Sequence, residues 1–291
     1  MRLVTFAAGE QARTGVLVDD GVVDLVAAEP ALPRDMRALL ATGPEGMARV
    51  RKAAARAAAV APLADVQLLA PVPRLGKVLG IGMNYLRHVR ELGRQPPQHQ
   101  VWFNKQRTCI TGPYDVVEIP VVSTSVDYEG ELCMVIGRRC RHVPRERAHE
   151  VIAGFCVGND VSVRDWQWRT PTMNMGKSFD THGPLGPWLT TPDEIADPHG
   201  LRIRTWVNDE LRQDATTGDM IFDCHAQIAH LSQAFTLEPG DVIFTGTPAG
   251  VGAASEPPRF LCAGDTVRVE VESLGALCNP VVDEVQRTVI E

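Results

Sequence analysis

Aromatic side chains make up only 5% of this 291-residue chain, so a platform for stacking bases is not expected. Positive charge is also in short supply. There are 29 Lys and Arg against 36 Asp and Glu, a formal net charge of -7. That balance lacks the footprint of a nucleic-acid binder and the polybasic patch of an anionic-membrane binder. No apolar run reaches the length of about 18 residues that a membrane span needs, since Arg56 and Asp65 interrupt the alanine-rich stretch 53–70. The opening MRLVTFAAGEQARTG has too short an apolar run for a secretory signal. The seven cysteines are odd in number, scattered and free of any C-x-x-C pair, which predicts reduced, mostly buried thiols in a cytoplasmic protein. No serine sits in a G-x-S-x-G elbow, and no H-E-x-x-H occurs. Gly246–Gly252 is glycine-rich but lacks the lysine of a phosphate loop. Gly80-Ile-Gly82 imitates a dinucleotide fingerprint, yet Tyr85 replaces its third glycine and no βαβ repeat follows.

What remains is an ordinary globular composition, 44% hydrophobic and 22% charged. Residues 1–72 read as a small N-terminal domain and 73–291 as the main one, divided by the rigid Pro71-Val72-Pro73. The first part offers strands at 2–6, 15–18 and 22–25, with Asp20-Gly21 as a hairpin turn. Helices at 34–40 and 46–60 follow, split by Thr42-Gly43-Pro44. The second part is strand-rich: 77–81, 116–122, 126–136, 201–207, 241–244 and 266–271. Helices at 85–92, 145–153 and 220–234 are few and irregularly placed. This pattern predicts a mainly β, α+β fold of mixed sandwich or roll type, not a doubly wound parallel sheet.

The segment 126–136 carries the most chemistry. Side chains alternate across a strand, so Val126, Tyr128, Leu132, Met134 and Ile136 share an apolar face. Asp127, Glu129, Glu131, Cys133 and Val135 share the other, with roughly 6.5–7 Å between successive same-face positions. Neighbouring carboxylates repel unless water screens them or a cation binds. The apolar end of that face points to a pocket, and oxygen donors there suit a hard divalent cation, Mg²⁺ or Mn²⁺. A further acid lies in 158–165, where spacing alone does not choose Asp160 over Asp165.

His88 and Glu91 stand at i,i+3 on a helix and can share a hydrogen bond, an arrangement that suits a general base. The Pro/Gly-rich loop 93–99 beyond them can act as a lid. Lys177 lies in a Gly/Pro-rich loop and matters only if it faces the acids. The other histidines, at 99, 142, 149, 182, 199, 225 and 230, show no paired ligand spacing and read as structural or surface residues.

Taken together, GMNYLRHVRE (82–91), FNK (103–105), DYEGELCMVIG (127–137), GNDVSVRD (158–165), GKSFDTHGPLGPW (176–188) and TGTPAGVG (245–252) resemble the fumarylacetoacetate hydrolase family from about residue 77 to 280. The resemblance implies a mixed β-sandwich roll, a small N-terminal extension and a homodimer. It implies that Glu129, Glu131 and Asp160 bind the metal, Mg²⁺ or Mn²⁺ with Ca²⁺ as a third choice, which settles Asp160 over Asp165. It implies catalytic roles for His88, Glu91 and Lys177, and substrate-binding roles for Lys105, Thr247 and Asn84. Asn84 stands where founding members carry a further aspartate. Gln106 stands where many relatives have proline.

The activity implied is metal-dependent C–C hydrolysis of an acylpyruvate-type 2,4-dioxo acid. Water activated by His88 and Glu91 would cleave it to pyruvate, leaving as its enolate, and a carboxylic acid. The same site suits isomerisation, decarboxylation (including of oxaloacetate) or hydration and dehydration of a 2-oxo or 2-hydroxy-diene dicarboxylic acid. A non-catalytic 2-oxo acid binding protein is the remaining alternative. The partner is thus a small 2-oxo acid, with no nucleic acid and no membrane. Trp102, Arg107, Arg164, Trp166, Trp168, Met173 and Met175 flank the motifs as specificity candidates.

Overall fold

The computed structural model describes residues 1–290. A mixed 12-stranded sheet runs through the molecule. The strand Gly130–Ile136 sits inside it, antiparallel to Ile152–Asn159 on one side and to Val242–Phe244 on the other. Val242–Phe244 pairs in parallel with Val78–Gly82, and that strand pairs antiparallel with Val101–Asn104. On the opposite flank Ile152–Asn159 pairs with Gly183–Thr190, which pairs with Arg2–Ala8. A second sheet of five strands is ordered Glu210–Thr216, Arg202–Val207, Thr266–Val271, Gly275–Asp283, Val117–Ile119. The result is the mainly β class expected, with few helices and no closed barrel among the described residues.

Every residue of Gly130–Ile136 is buried, because both faces of its sheet are covered. Alternation sends Leu132, Met134 and Ile136 into a core shared with Ile203, Val267, Val269 and Leu277 of the five-stranded sheet. It sends Cys133 and Val135 into a core shared with Leu25, Leu39 and Val50 of the N-terminal segment. Each such large apolar side chain contributes about 1.5–3 kcal/mol of burial free energy. The strand carrying the acids is therefore clamped from two sides. Residues on both sides of position 72 share the second core, and Arg2–Ala8 extends the central sheet.

Several element ends differ from the pattern reading, each for a local reason. Leu25 opens a short helix, Leu25–Ala28, because the Asp24 carboxylate caps it by accepting from Val26 N and Ala27 N. The helix after Thr42 spans Gly43–Arg56, with Pro44 in its first turn where a missing N–H costs nothing. The edge strand Val117–Ile119 stops at Pro120. Residues 145–151 form a 3₁₀ segment and Ile152 already belongs to a strand, since pairing with Gly130–Ile136 overrides helical periodicity. The helix Cys224–Ala234 starts only after Asp223, which caps it through Ala226 N. No helix among the described residues is long and apolar enough to cross a membrane.

Candidate active site

The expected continuous strand 126–136 is interrupted at Tyr128 and Glu129, and that interruption builds the site. Glu129 N donates to the Asn159 side chain at 3.0 Å, and Asp160 N donates to Glu129 O at 2.8 Å. The antiparallel register places Gly130 opposite Asn159 and Glu131 opposite Gly158. The next pair outward is Glu129 and Asp160. Two segments thus bring Glu129, Glu131 and Asp160 together, all buried, with one oxygen of each within 4.8 Å of the others.

Buried cations surround this cluster. Lys177 Nζ donates to Glu129 Oε2 at 2.7 Å and to Asp160 Oδ2 at 2.8 Å. Arg164 Nη1 donates to Glu129 Oε1 at 2.6 Å, while its Nε and Nη2 grip Asp127 Oδ2 at 2.9 and 2.7 Å. Lys105 Nζ donates to Asp160 Oδ1 at 2.6 Å and to the carbonyls of Lys177 and His182. Burial alone would raise Glu129, but Lys177 and Arg164 outweigh it and hold the carboxyl down at about 2. Glu131 has no cationic partner among the described residues. Burial, with the charges of Asp160 and Glu129, pushes it well above the usual carboxylate range, and Gly246 N at 2.7 Å is its hydrogen-bond donor. Four buried carboxylates (127, 129, 131 and 160) thus face three buried cations (105, 164 and 177). Three oxygen donors, one of them without a counter-ion, fit a hard divalent cation such as Mg²⁺ or Mn²⁺.

The helix Leu86–Glu91 brings His88 to the cavity that Glu129 also lines. His88 Nδ1 lies 2.9 Å from Glu91 Oε2, and Glu91 Oε1 accepts from Gly250 N at 2.8 Å. His88 Nε2 makes no protein hydrogen bond among the described residues. His88, Glu129, Lys177 and Thr247 all line one cavity of about 410 Å³. Two glycines make this approach feasible. Gly246 has φ +100°, and a Cβ there would fall 2.8 Å from Asn84 Cβ. A Cβ at Gly176 would fall 2.3 Å from Gln167 N, so the loop that delivers Lys177 could not close.

The remaining expected site residues have well-defined places. Asn84 Nδ2 donates to Phe222 O and Thr245 O, and its Oδ1 accepts from Phe222 N, which ties the start of the helix Leu86–Glu91 to two loops. Thr247 Oγ1 donates to Gly130 O at 3.0 Å and accepts from Gln213 Nε2 at 2.8 Å. The Lys105 ammonium points at Asp160 rather than at the cavity lining. Of the specificity candidates, Arg164, Trp168 and Met173 line the cavity, whereas Trp102, Arg107, Trp166 and Met175 do not. Asp127, which shares a face with the other acids in the sequence, instead accepts from Gly252 N, Ala253 N and Arg164. Its partnership with Arg164 and the role of Gly250 were not visible in sequence spacing, because both contacts span long stretches of chain. His182 is buried against Glu118 O, as a structural residue would be.

A family model described as fumarylacetoacetate (FAA) hydrolase C-terminal matches residues 77–282. The chain belongs to the fumarylacetoacetate hydrolase family. A mitochondrial oxaloacetate tautomerase of Bos taurus is 44% identical over 288 residues, 97% of this chain and 92% of that protein. Among solved structures, the maleylpyruvate hydrolase of a Sphingobium species, determined with manganese(II) and pyruvate, is 36% identical with a TM-score of 0.81, covering 97% of this chain and 99% of that one. A 2-hydroxyhepta-2,4-diene-1,7-dioate isomerase from Mycobacterium marinum is 34% identical with a TM-score of 0.76, covering 98% and 100%. Membership in this family and the buried Glu-Glu-Asp group support a metal-dependent enzyme.

Proposed function

We propose that this family member moves a proton at C3 of a 2-oxo acid, interconverting the keto and enol forms of an oxaloacetate-type substrate. The observation that carries this reading is His88. Its Nδ1 is held by Glu91, while its Nε2 is free at the cavity that Glu129 and Lys177 also line. Neutral His88 takes the C3 proton through Nε2, and the Glu91 carboxylate offsets the imidazolium that forms. Lys177 spends two of its three N–H donors on Glu129 and Asp160, and the third is left for the 2-oxo oxygen as negative charge develops there. His88 then passes that proton to the enolate oxygen, which gives the enol, and the reverse sequence regenerates the keto form. A divalent cation held by Glu129, Glu131 and Asp160 would supply Lewis-acid polarisation of the substrate carboxylate and 2-oxo oxygens. The mitochondrial oxaloacetate tautomerases supply the substrate suggestion.

Hydrolysis of an acylpyruvate is the second reading. The same His88 would take its proton from water, which adds to the distal carbonyl. The C–C bond then breaks to yield a carboxylic acid and pyruvate. The 410 Å³ cavity is roomier than a four-carbon acid requires, and the likeness to maleylpyruvate hydrolase supports this alternative. The deciding experiment is NMR in deuterated buffer with Mn²⁺, using oxaloacetate, acetylpyruvate and 2-oxobutyrate, with EDTA and His88→Ala controls. Enzyme-accelerated C3 exchange that needs both metal and His88 supports tautomerisation. Pyruvate plus acetate from acetylpyruvate, without exchange, replaces it by hydrolysis. Carbon dioxide release that survives His88→Ala replaces it by decarboxylation, which needs only the cation and Lys177. Binding with no turnover reduces the protein to a 2-oxo acid binder.

A homodimer and a cytoplasmic location complete this reading. Exposed Tyr114, Val116, Val121 and Val122 flank the edge strand Val117–Ile119 and suit a subunit contact. The seven free thiols suit a reducing compartment, while the Bos taurus relative is a mitochondrial protein. Light scattering and cell fractionation test the two points.

A further inference from the structure

We propose that Arg94 is the counter-ion for the far carboxylate of the substrate and makes the site selective for 2-oxo dicarboxylic over 2-oxo monocarboxylic acids. This deepens the reading above and rests on it for the placement of the substrate's 2-oxo end at the acid cluster.

Four cavity-lining side chains can carry positive charge: His88, Arg94, Arg164 and Lys177. Three are committed. His88 is bonded to Glu91, Arg164 to Asp127 and Glu129, and Lys177 to Glu129 and Asp160. The Arg94 guanidinium has no carboxylate within ion-pair distance and no hydrogen-bond acceptor among the described residues. Arg87 and Arg90 lie on the helix that carries His88 but do not line the cavity. Position 94 is fixed relative to the candidate base, because Gly93 turns the chain with φ +66° and Arg94 N donates to Val89 O at 3.0 Å. Much of the remaining lining is apolar, with Leu92, Pro97, Phe103, Trp168 and Met173 contributing.

These facts select a ligand chemistry. A substrate whose 2-oxo end meets Lys177 and Glu129 extends its other end along the rest of this lining, which includes Arg94. A second carboxylate there would find one uncommitted cation, the exposed Arg94 guanidinium. A guanidinium can bind it through two parallel N–H donors. A monocarboxylic acid would leave Arg94 without a partner and gain nothing from it.

The test uses the Mn²⁺-loaded full chain and its Arg94→Met, Arg94→Lys and Arg94→Glu variants. Oxaloacetate (two carboxylates) and 2-oxobutyrate (one) are each titrated by calorimetry and followed for C3 proton transfer. Arg94→Met should lose at least about tenfold more on the dicarboxylate than on the monocarboxylate, in affinity and in KM more than in kcat. One charge-assisted, two-donor contact at an exposed guanidinium corresponds to a loss of about tenfold. Arg94→Lys should recover part of the loss and Arg94→Glu should deepen it. Equal loss on both acids, or no loss on either, overturns the assignment. If wild type binds both acids but transfers no proton, the functional reading fails while Arg94 still stands or falls on the titrations. If wild type binds neither, both fail.

Discussion

Lowering the pH should weaken the fold through His182, a residue that props the site from behind. Its Nε2 bonds to Glu118 O at 2.7 Å, its Nδ1 is buried without a partner, and its own carbonyl accepts from Lys105. Burial first, and then the nearby Lys105 charge, pull its pKa from 6.5 down to about 4. The depressed value means that the unfolded chain binds a proton that the native chain refuses. Stability contributed by the neutral ring is present above the unfolded pKa and falls as pH drops from 6.5 toward 4. Integrating the two titrations gives a loss of about 2 kcal/mol between pH 7 and pH 5 and about 3 kcal/mol by pH 4. Other groups titrate over that range, Glu131 in the opposite sense, so the informative quantity is a difference between proteins. His182→Gln can keep a donor to Glu118 O without a titrating ring. Urea unfolding of both proteins at pH 7 and pH 5 should show wild type losing about 2 kcal/mol more than the variant. An equal loss in both would mean that His182 is protonated or solvated in the native state, and the burial argument would be refuted.

Three other perturbations bear on the site. Lys105→Met strips Asp160 and two carbonyls of a fully buried cation and should cost about 3–5 kcal/mol in denaturant unfolding, the usual penalty for orphaning a buried partner. Gly246→Ala forces a left-handed φ and a 2.8 Å contact on the donor to Glu131; Mn²⁺ titration should show at least about tenfold weaker binding than wild type. Saturating Mn²⁺ at about 100 times its Kd should stabilise the chain by about 2.7 kcal/mol, reversed by EDTA and absent in Glu131→Gln; calorimetric melting would show no shift if the triad does not hold metal.

Much of the site was legible because its residues come in short segments with local rules. Alternation alone put Glu129 and Glu131 on one face, and the i,i+3 spacing alone paired His88 with Glu91 at 2.9 Å. What alternation could not convey was the interruption after Asp127. There Glu129 N bonds to a side chain instead of a neighbouring strand, and Asp127 turns to serve Gly252, Ala253 and Arg164. Asp160 was ambiguous beside Asp165 until resemblance chose it, and the register of Gly130 against Asn159 supplies the physical reason. Asp165 instead accepts from Ser123 Oγ and sits outside the cluster. Helical periodicity failed at 152 and 153 because strand pairing is a long-range choice that no window of residues contains.

The two bonds made by Glu91 couple two parts of the site. One oxygen lies against His88 Nδ1 and the other accepts from Gly250 N, so one carboxylate holds both the ring and the glycine-rich loop 245–252. A change at position 91 is therefore felt twice, since it frees the imidazole to rotate and releases the Gly250 backbone. Glu91→Gln and Glu91→Ala would separate the two effects, because the amide oxygen can still accept from Gly250 N while the charge beside His88 is lost.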